Sequence, residues 1–355
     1  MKQPLVSICV PTHDRAEALE RGFNSILNQD YSSVEILISD NCSTDGTETL
    51  CRQVAASDHR VRYFRHPRNI GLYGNHNFCI DQARGEFLCF FHDHDERDPG
   101  FISEYIFFLN QHPEVGVACS DWELVDDSGR RIGTREYSVA PVTPGLTFIE
   151  QTLKSGRSSV GAPGAMIRRS ALGEIRFDES GPIGFGDFPV WFRIAERSPV
   201  GHIPYRLWRW RQSRHSQSAR TIESMAQDYY QNLTSYCDHH RARFPDGTER
   251  VERWKRHIRQ YLFWALAFEL GLYYRKTKPG ISDPPHPRTV FEILDYQLDP
   301  EAFQRVLEKL YSFRTGAVQE AAFFVIQSLV RVRMTAPLAW ATYHHLRFRM
   351  LLGLG

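Results

Sequence analysis

Residues 86–98 read Glu-Phe-Leu-Cys-Phe-Phe-His-Asp-His-Asp-Glu-Arg-Asp, an apolar run that ends in an acidic cluster. A buried strand ending in Asp93-x-Asp95 projects two carboxylates from its C-terminal tip, the edge at which open α/β sheets bind ligands. Paired hard oxygens suit Mg²⁺ or Mn²⁺, ions commonly held by one or two carboxylates together with a substrate's phosphates. The expected chemistry is therefore on a diphosphate-activated substrate. His94 lies between the two acids, and a nitrogen ligand there would suit Mn²⁺ better than Mg²⁺. Asp40 closes a second apolar run, Val-Glu-Ile-Leu-Ile-Ser-Asp. A carboxylate at that tip can accept a hydrogen bond from a pyrimidine N–H.

The elements that must carry these residues alternate in the first ~120 positions between β-rich runs and amphipathic helical stretches, the pattern of a mostly parallel sheet covered by helices. Strands are expected at Leu5–Pro11, Val34–Ser39, Val61–Phe64, Phe87–Phe91 and Val115–Ser120. Helices are expected over Arg15–Asn28 with Asp14 as N-cap, from Asp45, over Leu72–Ala83 and from Pro99. Two consecutive βαβ halves with right-handed crossovers would bring all the strand tips to one edge. The pattern loosens between Asp121 and Trp210. There the sequence indicates a turn at Asp126–Gly129, a short run Ala165–Ile167, a helix over Asp187–Glu196 and an apolar-aromatic run Val200–Trp210. From Thr221 the period is helical, including Tyr261–Tyr274 and Ala317–Arg333, with a Pro/Gly-rich joint from Lys278. Two regions are expected: an α/β catalytic domain over 1–220 and a helical C-terminal region over 221–355.

Composition bounds the function. The 355 residues carry a net charge of +1, 42% hydrophobic and 24% charged residues, which describes a globular protein with no overall field for nucleic acid. Seven scattered cysteines form no CxxC pair, so a reducing compartment is expected. The N-terminus lacks a signal peptide's apolar segment, and no apolar stretch reaches the ~20 residues needed to span a bilayer. A cytoplasmic location is expected.

Five motifs occur in order: Val6-Ser-Ile-Cys-Val-Pro-Thr-His-Asp-Arg15, Ile38-Ser-Asp-Asn-Cys-Ser-Thr-Asp-Gly-Thr47, Asn69-Ile-Gly71 with Asn75 and Asn77, Gly85-Glu-Phe, and Asp93-His-Asp95. Each is weak alone. Together, over roughly residues 5–215, they resemble the family 2 glycosyltransferases. The resemblance implies a GT-A-type, Rossmann-like fold and inverting transfer from a nucleotide-diphospho-sugar donor. It also implies that Pro11, Thr12, His13 and Asp14 border the base and ribose, with Asp40, Asn69 and Asn75 in the same pocket. Asp95 is the expected metal ligand, with Asp93 on ribose or a metal-bound water. Asp121 and Trp122 would flank the donor sugar.

The family places its proton acceptor in an acidic pair at a helix start. Here the segment is Gly184-Phe-Gly-Asp-Phe-Pro-Val-Trp-Phe-Arg193, so Asp187 matches the base and Gly186 stands where the preceding acid is usual. Asp178 and Glu179 compete for that role, and an N-cap is the bland alternative for Asp187. Trp191, one turn on, could offer a flat face to an acceptor sugar or belong to the core. In the Trp208–Ser218 segment, Arg211, Arg214 or His215 would close over the diphosphate. The same mixture of cations and aromatics can bind RNA, but the stretch is short. Processive members carry a Gln-x-x-Arg-Trp motif, absent here, so single addition is expected.

The expected donor is a UDP- or dTDP-sugar and the acceptor a glycan or lipid-linked hydroxyl, with no nucleic acid involved. The C-terminal Arg331–Leu352 stretch interleaves Arg, Trp and Phe with Leu and Met. It could lie on the inner face of a membrane as a peripheral helix. Helices of this tail could equally pair two copies as a homo-oligomer. Two rivals of other classes stand beside this reading: a metal-dependent phosphohydrolase, from the His-Asp-His-Asp string, and a catalytically idle nucleotide-sugar-binding module, from Gly186.

Overall fold

In the computed structural model the apolar runs of the N-terminal half form a parallel sheet. The structure describes residues 3–93, 95–211, 222–244 and 247–274. His94, Arg214, His215, the Ala317–Arg333 helix and the Arg331–Leu352 stretch lie outside the described residues. The chain divides into two compact units, Met1–Ile149 with Ser158–Ala219, and Glu150–Arg157 with Arg220–Gly355.

The elements alternate as β1 (Val6–Thr12), α1 (Ala16–Leu27), β2 (Val34–Asp40), α2 (Thr47–Ser57), β3 (Val61–Arg65) and α3 (Leu72–Gln82). Next come β4 (Phe87–Phe90), β5 (Glu96–Arg97), α4 (Phe101–Gln111), β6 (Val117–Val125), β7 (Arg131–Arg135) and β8 (Val142–Thr143). The chain continues through α5 (Gly145–Ser155), β9 (Ala165–Arg168), α6 (Arg169–Leu172), α7 (Phe188–Ala195) and β10 (Val200–Arg211). Two long helices follow, α8 (Ile222–Arg243) and α9 (Thr248–Tyr274).

The sheet order is β3-β2-β1-β4-β9-β6-β10-β5, with β7 beside β6 and β8 beside β10. The first four strands are all parallel, which buries both faces and explains why every residue of β2 is buried. One polar member of that strand, Glu35, accepts from Ser7 Oγ at 2.7 Å, the Arg84 N–H at 2.6 Å and Arg62 Nη1 at 2.8 Å. Its charge is thereby satisfied inside the sheet. α1 buries Leu19, Phe23 and Ile26, an i, i+4, i+7 stripe, and α4 buries Phe101, Ile102, Tyr105, Ile106 and Leu109.

Beyond β4 the expected continuation fails. The fifth apolar run does not pair with β4; the short β9 inserts between β4 and β6, antiparallel to both. β6 is longer than expected and pairs in parallel with β10, the apolar-aromatic run, from Val200↔Val117 to Arg211↔Val125. Asp14 is not the cap of α1 either. It sits at φ 50°, the N-cap position is Arg15, and the Ala16 N–H is instead satisfied by Asp45 Oδ2 at 3.0 Å, from the loop before α2. Capping by a distant carboxylate serves the same orphan donor.

In the second unit, α8 and α9 bury Tyr229, Leu233, Tyr236 and Cys237 with Val251, Trp254, Ile258 and Leu262. Lys255 Nζ meets Asp238 Oδ1 at 2.6 Å. All seven cysteines are free thiols. Among the described residues no helix is long and apolar enough to cross a membrane.

Candidate active site

The parallel register sets the first part of the site. Thr12 lies opposite Asp40 at the ends of β1 and β2, and β4 leaves the sheet at Phe90, opposite Cys9. Three residues later Asp93 is level with Thr12, whose hydroxyl donates to Asp93 Oδ2 at 2.9 Å. Asp95 Oδ1 accepts from the Arg211 N–H at 3.1 Å, so the end of β10 is tied to the acidic tip. Both acids are buried, at 7% and 2% exposure, and a buried carboxylate needs such donors or a cation.

Asp93 and Asp95 supply two carboxylates at this tip. Among the described residues no group of three or more His, Cys, Asp and Glu is arranged to hold a metal ion. Asp93 and Asp95 are hard oxygen donors that could hold a divalent cation if a substrate's phosphates and water supplied the other ligands.

Behind the tip, His76 on α3 donates from Nδ1 to the Leu72 carbonyl at 2.8 Å, and burial lowers it to about 4. It is neutral at pH 7. Arg97, also buried, donates from Nη2 to the Pro163 carbonyl at 2.7 Å and lies over the rings of Phe91, Phe101 and Trp208. This desolvated guanidinium beside the acids was not singled out by sequence, because one Arg in an acidic run reads as a solvated charge.

The residues expected around a nucleotide separate into two groups. His13 and Asn69 face each other, with Asn69 Nδ2 3.3 Å from His13 Nε2, and both remain partly open beside Pro11. Asp14 Oδ1 accepts from the Thr44 N–H at 2.7 Å, fixing the loop after β2. Asp40, by contrast, is 0% exposed and accepts from the Ser43 N–H at 2.8 Å and the Tyr63 hydroxyl at 2.7 Å. Asn75 is also buried: its Oδ1 accepts from Ser39 Oγ at 2.6 Å and its amide donates to the Ser39 carbonyl at 2.9 Å. Asp40 and Asn75 organise the β1–β2 tips from inside and do not present their polar atoms at the surface.

The second part of the site is carried by a loop and α7. Asp187 takes the N-cap position of α7, and Trp191 Nε1 donates to its Oδ2 at 3.0 Å. Burial pushes the Asp187 carboxyl above the usual carboxylate range, against hydrogen bonds from Trp191 and from the Ala162 and Phe188 backbone that favour its charged form. A carboxylate raised in this way is a stronger proton acceptor. Trp191 corrects the expectation of a sugar platform: it is 0% exposed, because α7 is apolar on nearly every side and its ring is core. Of the competing acids, Asp178 is turned to its own loop, accepting from Ser180 Oγ at 2.7 Å, and Glu179 is held by Asn77 Nδ2 at 2.9 Å.

Three further expectations change. The Arg211 guanidinium is occupied: it donates to the Asp126 and Asp127 carbonyls at 3.0 and 2.8 Å and pairs with Glu96, next to Asp95 in sequence. Its backbone N–H is the group that bonds Asp95. Asp121 is buried and accepts from His202 Nε2 at 2.8 Å and the Tyr137 N–H at 3.0 Å. Trp122 packs on Trp208 and Trp210, and its Nε1 donates to the Tyr137 hydroxyl at 3.3 Å. Both therefore secure the segment after β7. Neither His202 nor Tyr137 carried a sequence signal beyond its residue type.

Comparison with known proteins finds similar sequences and a similar fold. Residues 7–176 match the family described as glycosyl transferase family 2. The GalNAc(5)-diNAcBac-PP-undecaprenol beta-1,3-glucosyltransferase of Campylobacter jejuni is 40% identical over 209 residues, covering 58% of this chain and 65% of that protein. An uncharacterized Mycobacterium tuberculosis protein is 29% identical over 238 residues, covering 63% of this chain and 71% of that one. Among solved structures, Staphylococcus aureus TarS 1-349 in complex with UDP-GlcNAc superimposes with a TM-score of 0.61 at 16% identity, covering 86% of this chain and 91% of that one. That last likeness establishes a GT-A-type fold. The N-terminal α/β unit is thus similar, over residues 7–176, to the family 2 glycosyltransferases.

Proposed function

We propose that this chain is a cation-dependent, inverting glycosyltransferase that moves a sugar from a UDP- or dTDP-linked donor to an acceptor hydroxyl during polysaccharide or glycan assembly. The observation that carries the reading is the pair of buried acids, Asp93 and Asp95, at the C-terminal edge of the parallel strands. That edge is where α/β sheets bind nucleotides. Asp93 and Asp95 would hold Mg²⁺ or Mn²⁺, which neutralises charge on the leaving diphosphate when bound. His13 and Asn69 line the nucleotide side, and Asp14 and Asp40 keep the loop after β2 in place beneath it. A pyrimidine base reaching Asp40 must displace the Tyr63 hydroxyl.

On the acceptor side Asp187 takes the hydroxyl proton as the new glycosidic bond forms and the sugar–phosphate bond breaks. Trp191 and the Ala162 backbone keep the carboxylate oriented. Inversion follows from a single in-line displacement. The relative from Campylobacter jejuni is named for a polyprenyl-diphosphate-linked acceptor, and a lipid-linked glycan is accordingly the first acceptor class to try.

The test is incubation with a panel of UDP- and dTDP-sugars with and without Mn²⁺, reading nucleotide release. Cation-dependent release from at least one donor is expected. No release and no donor binding across the panel would remove the reading in favour of an idle binding module or a different chemistry.

A further inference from the structure

The glycine before Asp187 has a specific cause in this fold. Gly186 is absent from the residues with positive φ, so its backbone does not demand glycine. Space does. A Cβ at 186 would lie 2.5 Å from the Tyr73 hydroxyl and 2.6–2.7 Å from its ring carbons. Tyr73, on the first turn of α3, is itself fixed: its ring stacks on Phe177 at 5.2 Å and 5°. Its hydroxyl donates to the Ile183 carbonyl at 2.6 Å.

That carbonyl is the anchor of the turn that delivers Asp187. Phe185 sits at φ 59°, a left-handed conformation that costs a bulky residue free energy and needs surrounding contacts to maintain it. The Phe188 N–H then closes on the Phe185 carbonyl at 3.1 Å, and the Trp191 N–H on the Asp187 carbonyl at 3.2 Å, starting α7. One phenol therefore both bars a side chain at 186 and tethers the strained segment.

We propose that Tyr73 is the positioning residue for Asp187: its ring fills the place of a side chain at 186, and its hydroxyl holds the Ile183–Phe188 turn. The acceptor side consequently operates with a single carboxylate. Because α3 also supplies Asn75, the same helix is bonded both to the β1–β2 tips and, through Tyr73, to the Ile183–Phe188 turn. This inference rests on Asp187 as proton acceptor, but its geometry can be read without substrate.

The Trp191 indole N–H reports directly on Asp187 and is assigned in a ¹⁵N-tryptophan spectrum by its loss in W191F. Tyr73→Phe and Tyr73→Leu should move that resonance and speed its solvent exchange, while the Kd for UDP stays within about twofold. Gly186→Ala should lower Tm in the wild type and lower it clearly less in the Tyr73→Leu background. Once a donor is known, Tyr73→Phe should reduce kcat about tenfold with donor KM unchanged. An unmoved Trp191 resonance in both Tyr73 variants, or equal Tm losses for Gly186→Ala in the two backgrounds, would overturn the role of Tyr73. Retained transfer in Asp187→Asn would instead remove the base assignment, whatever the spectrum shows.

Discussion

The two halves of the sheet place functional groups by different means. In β3-β2-β1-β4 the strands are parallel and in register, so Thr12 and Asp40 come to one edge as strand ends, and Asp93, three residues past β4, is held there by the Thr12 hydroxyl. Their hydrogen bonds run between neighbouring tips. In β9-β6-β10-β5 the directions are mixed, and the important carboxylates depend on loops: Asp187 on Trp191 and Ala162, Asp121 on Tyr137 and His202. A site built on strand ends inherits the stiffness of the sheet. One built on loops inherits the packing of whichever side chains anchor them. The proposed donor side thus rests largely on strand ends, with one tie from Asp95 to β10, and the proposed acceptor side on a few specific contacts.

Substitutions should separate the halves. The largest effect is expected for Asp187→Asn, about 10³-fold lower kcat with UDP binding nearly unchanged, measured by steady-state transfer and calorimetry. The same variant should melt higher than wild type at pH 8. The wild-type carboxyl has a raised folded pKa, so its contribution to stability is fully present below its unfolded value and is lost as pH rises through the folded one. The stability difference should therefore narrow in acid, which thermal melts at several pH values would show.

Asp95→Asn comes next, with cation-dependent donor binding weakened at least ~100-fold, since losing a direct ligand costs more than losing an outer-shell partner. Trp191→Phe should lower kcat about tenfold. It removes a donor that favours the charged carboxylate, so the acidic limb of the kcat/KM profile should move to higher pH. Thr12→Val should have the smallest effect. Losing one hydroxyl bond to Asp93 costs about 1 kcal/mol, or about fivefold in donor affinity, with no change in the Trp191 resonance. A Thr12→Val effect on the Asp187 side would break the division between the halves.

How much of this was legible follows the same division. The strands from Val6 to Phe90 and their order of motifs could be read because continuous apolar runs separated by amphipathic helices have few other solutions. Asp93, Asp95 and Asp187 were legible as acids at element ends. The insertion of β9 was not, since a four-residue run carries no sign of its partner or direction. Trp191 was placed correctly one turn from Asp187, and of the two roles its sequence left open, sugar platform or core, it takes the core one, because α7 is apolar on nearly every side. Arg211 read as a phosphate ligand because its type suits one. Its guanidinium is occupied by the Asp126–Asp127 carbonyls, a pairing 85 and 84 residues apart that no local pattern encodes. Tyr73 was silent for the same reason: its partner Ile183 is 110 residues away.

The central claim is that Asp93 and Asp95 grip the activated donor through a cation while Asp187 acts only afterwards, on the acceptor. Calorimetric titration of UDP with Mn²⁺ into wild type, Asp95→Asn and Asp187→Asn tests it directly. Mn²⁺-enhanced UDP binding should survive in Asp187→Asn and disappear in Asp95→Asn. Equal enhancement in all three proteins would contradict the assignment of the acidic tip.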